Sequence, residues 1–220
     1  MRTKFNAVLA DWRRVKNHCR TTVGKEFTDS EPSPDFKAKL LISEHSPVRL
    51  IEVDWSWTGI KSWVATHWSR HKFEKFISTQ RDDRVKDRAV SRDAIPQSAP
   101  VNFDGFANAQ QLIDVFRKRL CKQAHAETRE YAIDFKHALT SVEPELALML
   151  VPNCIYRYGC PEFKPCGHFE AFRLWCDSYL EGGLDERNML DIKTRYVLYN
   201  IFLHSSEYRT IMKLSEETKQ

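Results

Sequence analysis

Residues 107–139 read ANAQQLIDVFRKRLCKQAHAETREYAIDFKHAL, some thirty residues without glycine or proline. Because these two residues are the commonest interruptions of a helix, the stretch predicts one long helix. Upstream, residues 39–57 read KLLISEHSPVRLIEVDWSW, and their β-branched, partly alternating side chains predict a strand, a loop and a second strand. The chain is therefore expected to combine strands with at least one long helix.

Three other parts of the chain also show the apolar spacing of helices. From about Thr58 onward this spacing predicts a helix that carries Arg70 and Lys72 near its C-terminal end. The tail shows two further helical patterns, over residues 169–180 and 185–203. At the N-terminus, apolar residues at helical spacing predict a first helix; they are Val8, Leu9, Trp12 and Val15.

Composition indicates a globular protein. The chain has 220 residues, 42% of them hydrophobic, which suits one domain or one domain with an appendage. The net charge is only +4, with acidic residues interleaved among the basic ones, which argues against nucleic acid as a partner. No apolar run is long enough for a membrane span, and the first residues do not resemble a secretory signal. A soluble, cytoplasmic protein is expected.

One face of the predicted long helix carries two polar side chains among apolar ones. Asn108, Leu112, Val115 and Arg119 are spaced by four, three and four residues and so share a stripe. Burial of a guanidinium on such a stripe costs free energy unless a partner balances its charge and accepts its hydrogen bonds. A structural salt bridge would satisfy it, and so would a bound phosphate or planar heterocycle, so both interpretations remain open.

A cysteine-rich loop occupies residues 151–168. Cys154, Cys160, Cys166 and His168 form the pattern C-x5-C-x5-C-x-H, whose three thiols and one imidazole could bind Zn²⁺, with Cys176 as an alternative ligand. Zinc sites mostly use gaps of two to four residues. The alternative is that small thiols pack within a loop rich in proline and glycine. An iron–sulfur cluster is less favoured than either.

Five motifs occur in one order along the chain. They are EHSPVRL (44–50), SRHK (69–72) followed by STQR (78–81), RDAIP (92–96), NAQQLIDVFRKR (108–119) and QAHAETREYA (123–132). This set resembles the motifs of the flavin-dependent thymidylate synthases, which have an Arg-His-Arg triplet followed by Ser and Arg. Downstream the family has Arg-x-x-Leu-Pro and then a helix of the form Asn-x-Arg-x-x-x-Asn with a second Arg. The resemblance covers roughly residues 20 to 135.

The resemblance implies an α+β fold, with a mixed or antiparallel sheet and long helices, in a homotetramer whose active sites lie between subunits. It implies that dUMP is converted to dTMP, with methylenetetrahydrofolate as carbon donor and reduced FAD as hydride donor, while NADPH regenerates the flavin. Residues 1–140 would form this catalytic core. Residues 141–220 would be a cysteine-rich and helical extension packed on it.

The resemblance also assigns site residues. Arg81, Arg92 and Arg119 match the arginines that hold the nucleotide, and Arg92 would come from a neighbouring subunit. Ser78 and Thr79 compete for the place of the family's serine, because the spacer before Arg81 is one residue short. The catalytic candidates are Arg119, Arg81, Thr79 and Ser78. The candidates for contact with the flavin and folate are Ser46, Arg70, His71, Lys72, Asn108, Gln110, Asp114 and Gln123.

The departures from the family pattern fall mostly on the flavin side. Lys72 replaces the last arginine of the triplet and loses its planar donor fork. Gln110, Asp114 and Gln123 replace Arg, Asn and His around the flavin. Two alternatives therefore stand beside dUMP methylation: a relative that acts on another pyrimidine nucleotide, and a non-catalytic nucleotide-binding or zinc-stabilised interaction protein.

Overall fold

The structure is a computed structural model that describes residues 2–85, 90–206 and 208. Within these residues the chain forms four β-strands, which are β1 (Thr3–Leu9), β2 (Glu52–Lys61), β3 (Glu74–Ile77) and β4 (Pro100–Asn108). It also forms ten α-helices, which are α1 (Trp12–Thr21), α2 (Pro34–Ile42), α3 (Ser62–Ser69), α4 (Ala109–Arg119), α5 (Ala126–Thr140), α6 (Pro144–Met149), α7 (Asn153–Tyr156), α8 (His168–Tyr179), α9 (Glu186–Leu190) and α10 (Ile192–His204). Short 3₁₀ turns cover Ser46–Leu50 and Arg92–Ala94.

The four strands form one antiparallel sheet in the order β1-β2-β4-β3. The β2–β4 pair places Glu52 opposite Asn108, so α4 begins where β4 ends, beside the start of β2. Asn108 caps α4: its side chain accepts from the Gln111 amide at 3.0 Å, and the Gln111 side chain accepts from the Asn108 amide at 2.9 Å. The predicted α+β class with an antiparallel sheet is confirmed.

Aromatic side chains fill the centre of the molecule. Trp55 and Trp57 on β2 and Trp68 on α3 are fully buried, and the Trp57 and Trp68 ring centroids lie 4.8 Å apart. Burial of such large side chains contributes about 2–3 kcal/mol each. Because Trp68 is buried, α3 is held against the sheet, and the residues that follow it are brought beside α4.

The predicted single helix over residues 107–139 is wrong. The structure divides it into α4 and α5, with residues 120–125 forming a turn. The buried Arg129 explains the break, because its guanidinium donates to the carbonyls of Lys122 and Ala124, both at 3.1 Å. In a continuous helix these carbonyls would accept from amides one turn later.

Other predictions of secondary structure also differ from the structure. The predicted first strand, beginning at Lys39, lies in α2, because Ser33 caps that helix and Pro34 occupies its first position. Val8 and Leu9 lie in β1, and the first helix begins only at Trp12.

The helix predicted from about Thr58 is shorter than expected. Thr58 lies in β2, and α3 ends at Ser69, so Arg70 and Lys72 follow the helix instead of lying within it. The tail helix predicted over residues 185–203 is divided at Asp191 into α9 and α10. The predicted second strand and the tail helix over residues 169–180 are present as β2 and α8.

The C-terminal part of the described chain shares its core with the rest. One cluster of buried side chains includes Trp55 and Phe135 as well as Phe172 and Phe202 of α8 and α10. The division into a core of residues 1–140 and an extension of residues 141–220 stays a prediction, and residues 207 and 209–220 of that extension lie outside the described part. Among the described residues, no helix is long and apolar enough to cross a membrane.

Candidate functional site

The C-terminal end of α4 meets the turn that follows α3, and Arg119 lies at the contact. Its Nε donates to Nε2 of His71 at 2.7 Å, and its Nη2 donates to the main-chain oxygen of His67 at 2.7 Å. A guanidinium has five N–H donors, so three remain after these two bonds. Arg119 is half-buried, and the described residues supply no further hydrogen-bond partner for it. The remaining donors can therefore bind an acceptor from outside this chain.

His71 is a neutral acceptor. Because its Nε2 accepts from Arg119, the ring carries its proton on Nδ1. Burial, followed by the positive charges of Arg119 and Lys75, lowers the pKa of His71 to about 4. Lys75 holds the turn by donating from Nζ to the main-chain oxygens of His71 and Phe73, at 2.7 and 2.9 Å. His71 thus fixes Arg119 without neutralising its charge.

A second guanidinium contributes to the same site. Arg70 ends α3 and is exposed, and its charge adds to burial in lowering the pKa of Arg119. In the part of the chain that the structure describes, neither arginine forms an ion pair with a carboxylate. Two like charges held near each other without a carboxylate suit a ligand rich in oxygen acceptors, such as a nucleotide.

His67 and Thr128 are parts of this site that the sequence did not indicate. Nδ1 of His67 lies 2.8 Å from Oγ1 of the buried Thr128 on α5, so α3 and α5 are linked behind Arg119. Burial, then Arg119 and Arg70, lowers the pKa of His67. The ring of Trp63 packs edge-on against His125, with centroids 4.5 Å apart. The contact of His67 with Arg119 uses its main-chain oxygen, so no sequence signal could have indicated it.

The other nucleotide-binding candidates lie on the surface. Arg81 is exposed and pairs with Asp83 at 2.8 Å, while the main-chain amide of the exposed Arg92 donates to Asp82 at 2.9 Å. No hydrogen bond or ion pair joins either arginine to Arg119 among the described residues. A role for Arg81 and Arg92 beside Arg119 stays a prediction.

Ser78 and Thr79 take different local roles. Ser78 extends the β3–β4 pairing, because its amide donates to the oxygen of Asn102 and its hydroxyl accepts from the amide of Asn102, both at 2.9 Å. The hydroxyl of Thr79 accepts from the amide of Arg81 at 3.2 Å. Thr79 is therefore the one of the two whose hydroxyl supports the arginine of the motif.

Several predicted flavin contacts are bonded within this chain. The Gln110 amide donates to Glu44 at 2.6 Å, and Asp114 accepts from Arg117 at 3.0 Å. The Arg117 guanidinium also pairs with Glu44 and lies over the ring of Tyr156, 3.6 Å from its centroid. This network, formed by Glu44, Gln110, Asp114, Arg117 and Tyr156, is called the α4 network below.

Gln123 and Asn108 also form hydrogen bonds within the chain. Gln123 donates to the main-chain oxygen of Lys164, and the Asn108 side chain caps α4. Gln110, Asp114 and Gln123 thus each have a partner within this chain, and the flavin contacts that the resemblance assigns to them stay predictions. Ser46, Arg70 and Lys72 are exposed and remain available to a cofactor.

The cysteine-rich loop contains one buried thiol, that of Cys154, which is protonated. Burial, followed by Cys121, Cys166 and Cys160, raises the pKa of Cys154 to about 12. His168 is buried among aromatic rings, with Nε2 at 3.3 Å from the Tyr199 hydroxyl, and burial lowers its pKa to about 4. Among the described residues, no three His, Cys, Asp or Glu side chains are grouped so as to hold a metal ion. The predicted zinc set of Cys154, Cys160, Cys166 and His168 is therefore not assembled there, and Cys176 does not complete it.

Solved structures with similar folds place this architecture among known proteins. The UMP/dUMP methylase PolB from Streptomyces cacaoi, bound with 5-Br dUMP, superposes with a TM-score of 0.55 at 12% identity over 67% of this chain and 93% of PolB. Thymidylate Synthase X from Helicobacter pylori, with FAD and dUMP, gives a TM-score of 0.56 at 14% identity over 68% of this chain and 97% of that one. This chain has the fold of the flavin-dependent thymidylate synthases.

A second structure of the Helicobacter pylori enzyme, complexed with FAD and dUMP, agrees, with a TM-score of 0.55 at 14% identity over 68% of this chain and 98% of that one. The thymidylate synthase fold thus accounts for about two thirds of the chain. No family model and no curated protein matches the sequence.

Proposed function

We propose that this chain binds dUMP at Arg119 and methylates C5 of its uracil ring to give dTMP. The observation that carries the proposal is the state of Arg119, which is half-buried, is fixed by the neutral acceptors His71 and His67, and has no carboxylate partner among the described residues. The phosphate and the uracil carbonyls of dUMP are both rich in acceptors, so either group suits the free donors. Structures of the same fold that contain dUMP or its bromo derivative support this ligand class.

The proposed reaction uses methylenetetrahydrofolate and FAD, with NADPH as the reductant that regenerates the flavin. When bound, reduced FAD supplies a hydride and the folate supplies the carbon. In this chain Ser46, Arg70 and Lys72 would hold the cofactors, because their side chains are exposed, whereas Gln110, Asp114 and Gln123 are bonded elsewhere. His71 and His67 would keep Arg119 oriented, so that its charge is in place before the nucleotide arrives.

The proposal includes a homotetramer in the cytoplasm. Arg81 and Arg92 are exposed and lie apart from the contacts of Arg119 in the single chain. A neighbouring subunit that supplied Arg92 would complete a three-arginine site. Gel filtration with light scattering tests the oligomeric state, and a monomer at assay concentration would contradict this part.

The reaction is tested by tritium release from 5-tritiated dUMP, in the presence of methylenetetrahydrofolate, FAD and NADPH. Methylation replaces the hydrogen on C5, so the active protein releases tritium into water, and absorbance in the flavin bands reports FAD. UMP is assayed in parallel, because a solved relative is a UMP/dUMP methylase. Release from UMP alone would identify the substrate as another pyrimidine nucleotide, and release from neither would contradict methylation.

A second candidate is a protein that binds the nucleotide without flavin chemistry. The α4 network favours it, since two side chains that the resemblance assigns to flavin are paired with Glu44 and Arg117 instead. This candidate expects dUMP binding, no flavin absorbance after reconstitution with FAD, and no tritium release. The zinc-stabilised version gains no support from the described residues, which group no metal ligands.

A further inference from the structure

The last turn of α4 is contacted from the C-terminal extension as well as from α3. The ring of Tyr156, on α7, lies against the Arg117 guanidinium at 3.6 Å. Lys118 pairs with Glu162 at 3.4 Å, and Gln123, in the turn that follows α4, donates to the oxygen of Lys164. These contacts join the end of α4 and the turn after it to the part of the chain that the family resemblance does not cover.

The Arg117 side chain is largely buried. Its side chain is 14% exposed, and its Nε is buried without a hydrogen-bond partner in the described part of the chain. Its charge is balanced by Glu44 and by Asp114, and its flat face rests on Tyr156. A desolvated cation–π contact of this kind is strong enough to choose one side-chain position. Tyr156 and Glu44 together therefore fix where Arg117 lies.

Arg117 and Arg119 belong to the same helical turn but face different neighbours. Arg119 is held by His71 and by the oxygen of His67, while Arg117 is held by Glu44 and Tyr156. The final turn of a helix lacks part of its internal hydrogen bonding and frays unless side chains hold it. Loss of the contact on the Arg117 side would therefore loosen the position of Arg119.

We propose that Tyr156 is a positioning residue for the nucleotide site: its ring fixes Arg117, and thereby holds the last turn of α4 and Arg119 in place to bind dUMP. The role rests on the proposed function and gives the extension a part in it. In this role Tyr156 acts through Arg117 and not on the nucleotide directly. A site whose arginine is already oriented loses less conformational entropy on binding, so disorder at this turn lowers affinity.

The test is calorimetric titration of dUMP into the full chain and into three Tyr156 variants. Tyr156→Ala removes the ring, and Tyr156→Leu keeps apolar volume but has no aromatic face, so both are expected to weaken dUMP binding roughly tenfold. Tyr156→Phe keeps the aromatic face and is expected to bind within about twofold of wild type. Rescue by Phe but not by Leu separates the cation–π contact from simple filling of space.

Tyr179→Ala is the matched control. Tyr179 lies in the same extension, is exposed, and stacks on Trp175 with centroids 4.5 Å apart, away from α4. Its variant should bind dUMP as the wild type does. Unchanged binding by folded Tyr156→Leu, or equal losses in the Phe and Leu variants, would overturn the role of Tyr156. A wild-type protein that does not bind dUMP would instead refute the proposed function, and this role with it.

Discussion

Two arginines in the last turn of α4 differ in what surrounds them. Arg117 has two carboxylates and an aromatic ring as partners, so its charge is balanced within the chain. Arg119 has an imidazole nitrogen and a main-chain oxygen, and a second guanidinium, Arg70, lies near enough to affect its pKa. One arginine stabilises the fold, whereas the half-buried charge of the other is not balanced by any carboxylate in the described part of the chain.

This difference separates structural charges from ligand-binding ones. Breaking a buried ion pair lowers the free energy of unfolding, because removal of one partner leaves the other charge buried without a counterion. An oriented charge without a counterion adds little to stability and is available to a ligand. Substitution of Arg119 should therefore act mainly on nucleotide binding, whereas substitution of Arg117 should act mainly on the free energy of unfolding.

The largest expected effect is on nucleotide binding by Arg119→Ala. Loss of two charge-assisted hydrogen bonds should weaken the binding of dUMP by about 1,000-fold. The free energy of unfolding should stay within about 1 kcal/mol of wild type, since Arg119 has no carboxylate partner among the described residues. Calorimetric titration and urea denaturation measure the two quantities. Arg119→Lys is the control for charge alone, and dUMP binding by Arg119→Ala at wild-type strength would remove this residue from the site.

Arg117→Ala should affect stability more than nucleotide binding. It leaves the carboxylate of Glu44, whose side chain is only 23% exposed, without its guanidinium partner, and should lower the free energy of unfolding by about 3 kcal/mol. Arg187→Ala removes an ion pair whose arginine is 89% exposed, and should leave the free energy of unfolding close to that of wild type. Equal losses in urea denaturation for the two variants would show that the α4 network is not a buried pair in solution.

A pH effect on stability should follow from His71. Its pKa is about 4 in the folded chain against an ordinary 6.5, so between these values the unfolded chain binds the proton and the folded chain does not. The free energy of unfolding should therefore decline as pH falls from 6.5 towards 4, and His71 should cause no further decline below that. His168, with a pKa also about 4, acts in the same window.

Replacement of His71 tests this assignment. His71→Asn keeps an acceptor but does not titrate, so its unfolding free energy should fall less than that of wild type between pH 7 and pH 4.5. His45→Asn, at an exposed histidine, is the control. Identical pH profiles for wild type and His71→Asn would contradict the assignment of His71 as a buried neutral acceptor.

The smallest expected effect is that of Gln110→Ala. Gln110 donates to Glu44 within the α4 network, so its loss should change the binding of dUMP by less than about twofold. Titration under the conditions used for Arg119→Ala makes the comparison direct. A loss of tenfold or more would mean that this face of α4 also contacts the nucleotide.

The sequence predicted the fold class and part of the site, for reasons visible in single residues. Arg119 on an apolar stripe, together with the ordered motifs, indicated the arginine that the structure places beside His71 and Arg70. The start of α2 could also be predicted from the sequence, because Ser33 and Pro34 are residues that commonly begin a helix. The apolar run after Lys39 favoured a strand instead.

Other features depend on contacts between distant parts of the chain. The break between α4 and α5 follows from Arg129, whose guanidinium donates to two main-chain carbonyls. Helix propensities do not include such side-chain contacts, so they could not predict the break. Arg117 stacks on Tyr156, and these residues lie in two separate helices that share no repeating sequence pattern. Sequence spacing therefore could not indicate the contact. The role of His67 depends on its main-chain oxygen, which every residue has.

The most direct test of an uncompensated, ligand-binding Arg119 is the change in melting temperature caused by dUMP, measured for wild type and for Arg119→Ala. A ligand that binds only the folded chain raises its melting temperature with concentration. We expect a concentration-dependent rise for wild type and none for Arg119→Ala, although the two proteins should melt at similar temperatures without nucleotide. Equal rises in both proteins, or none in wild type, would contradict nucleotide binding by Arg119.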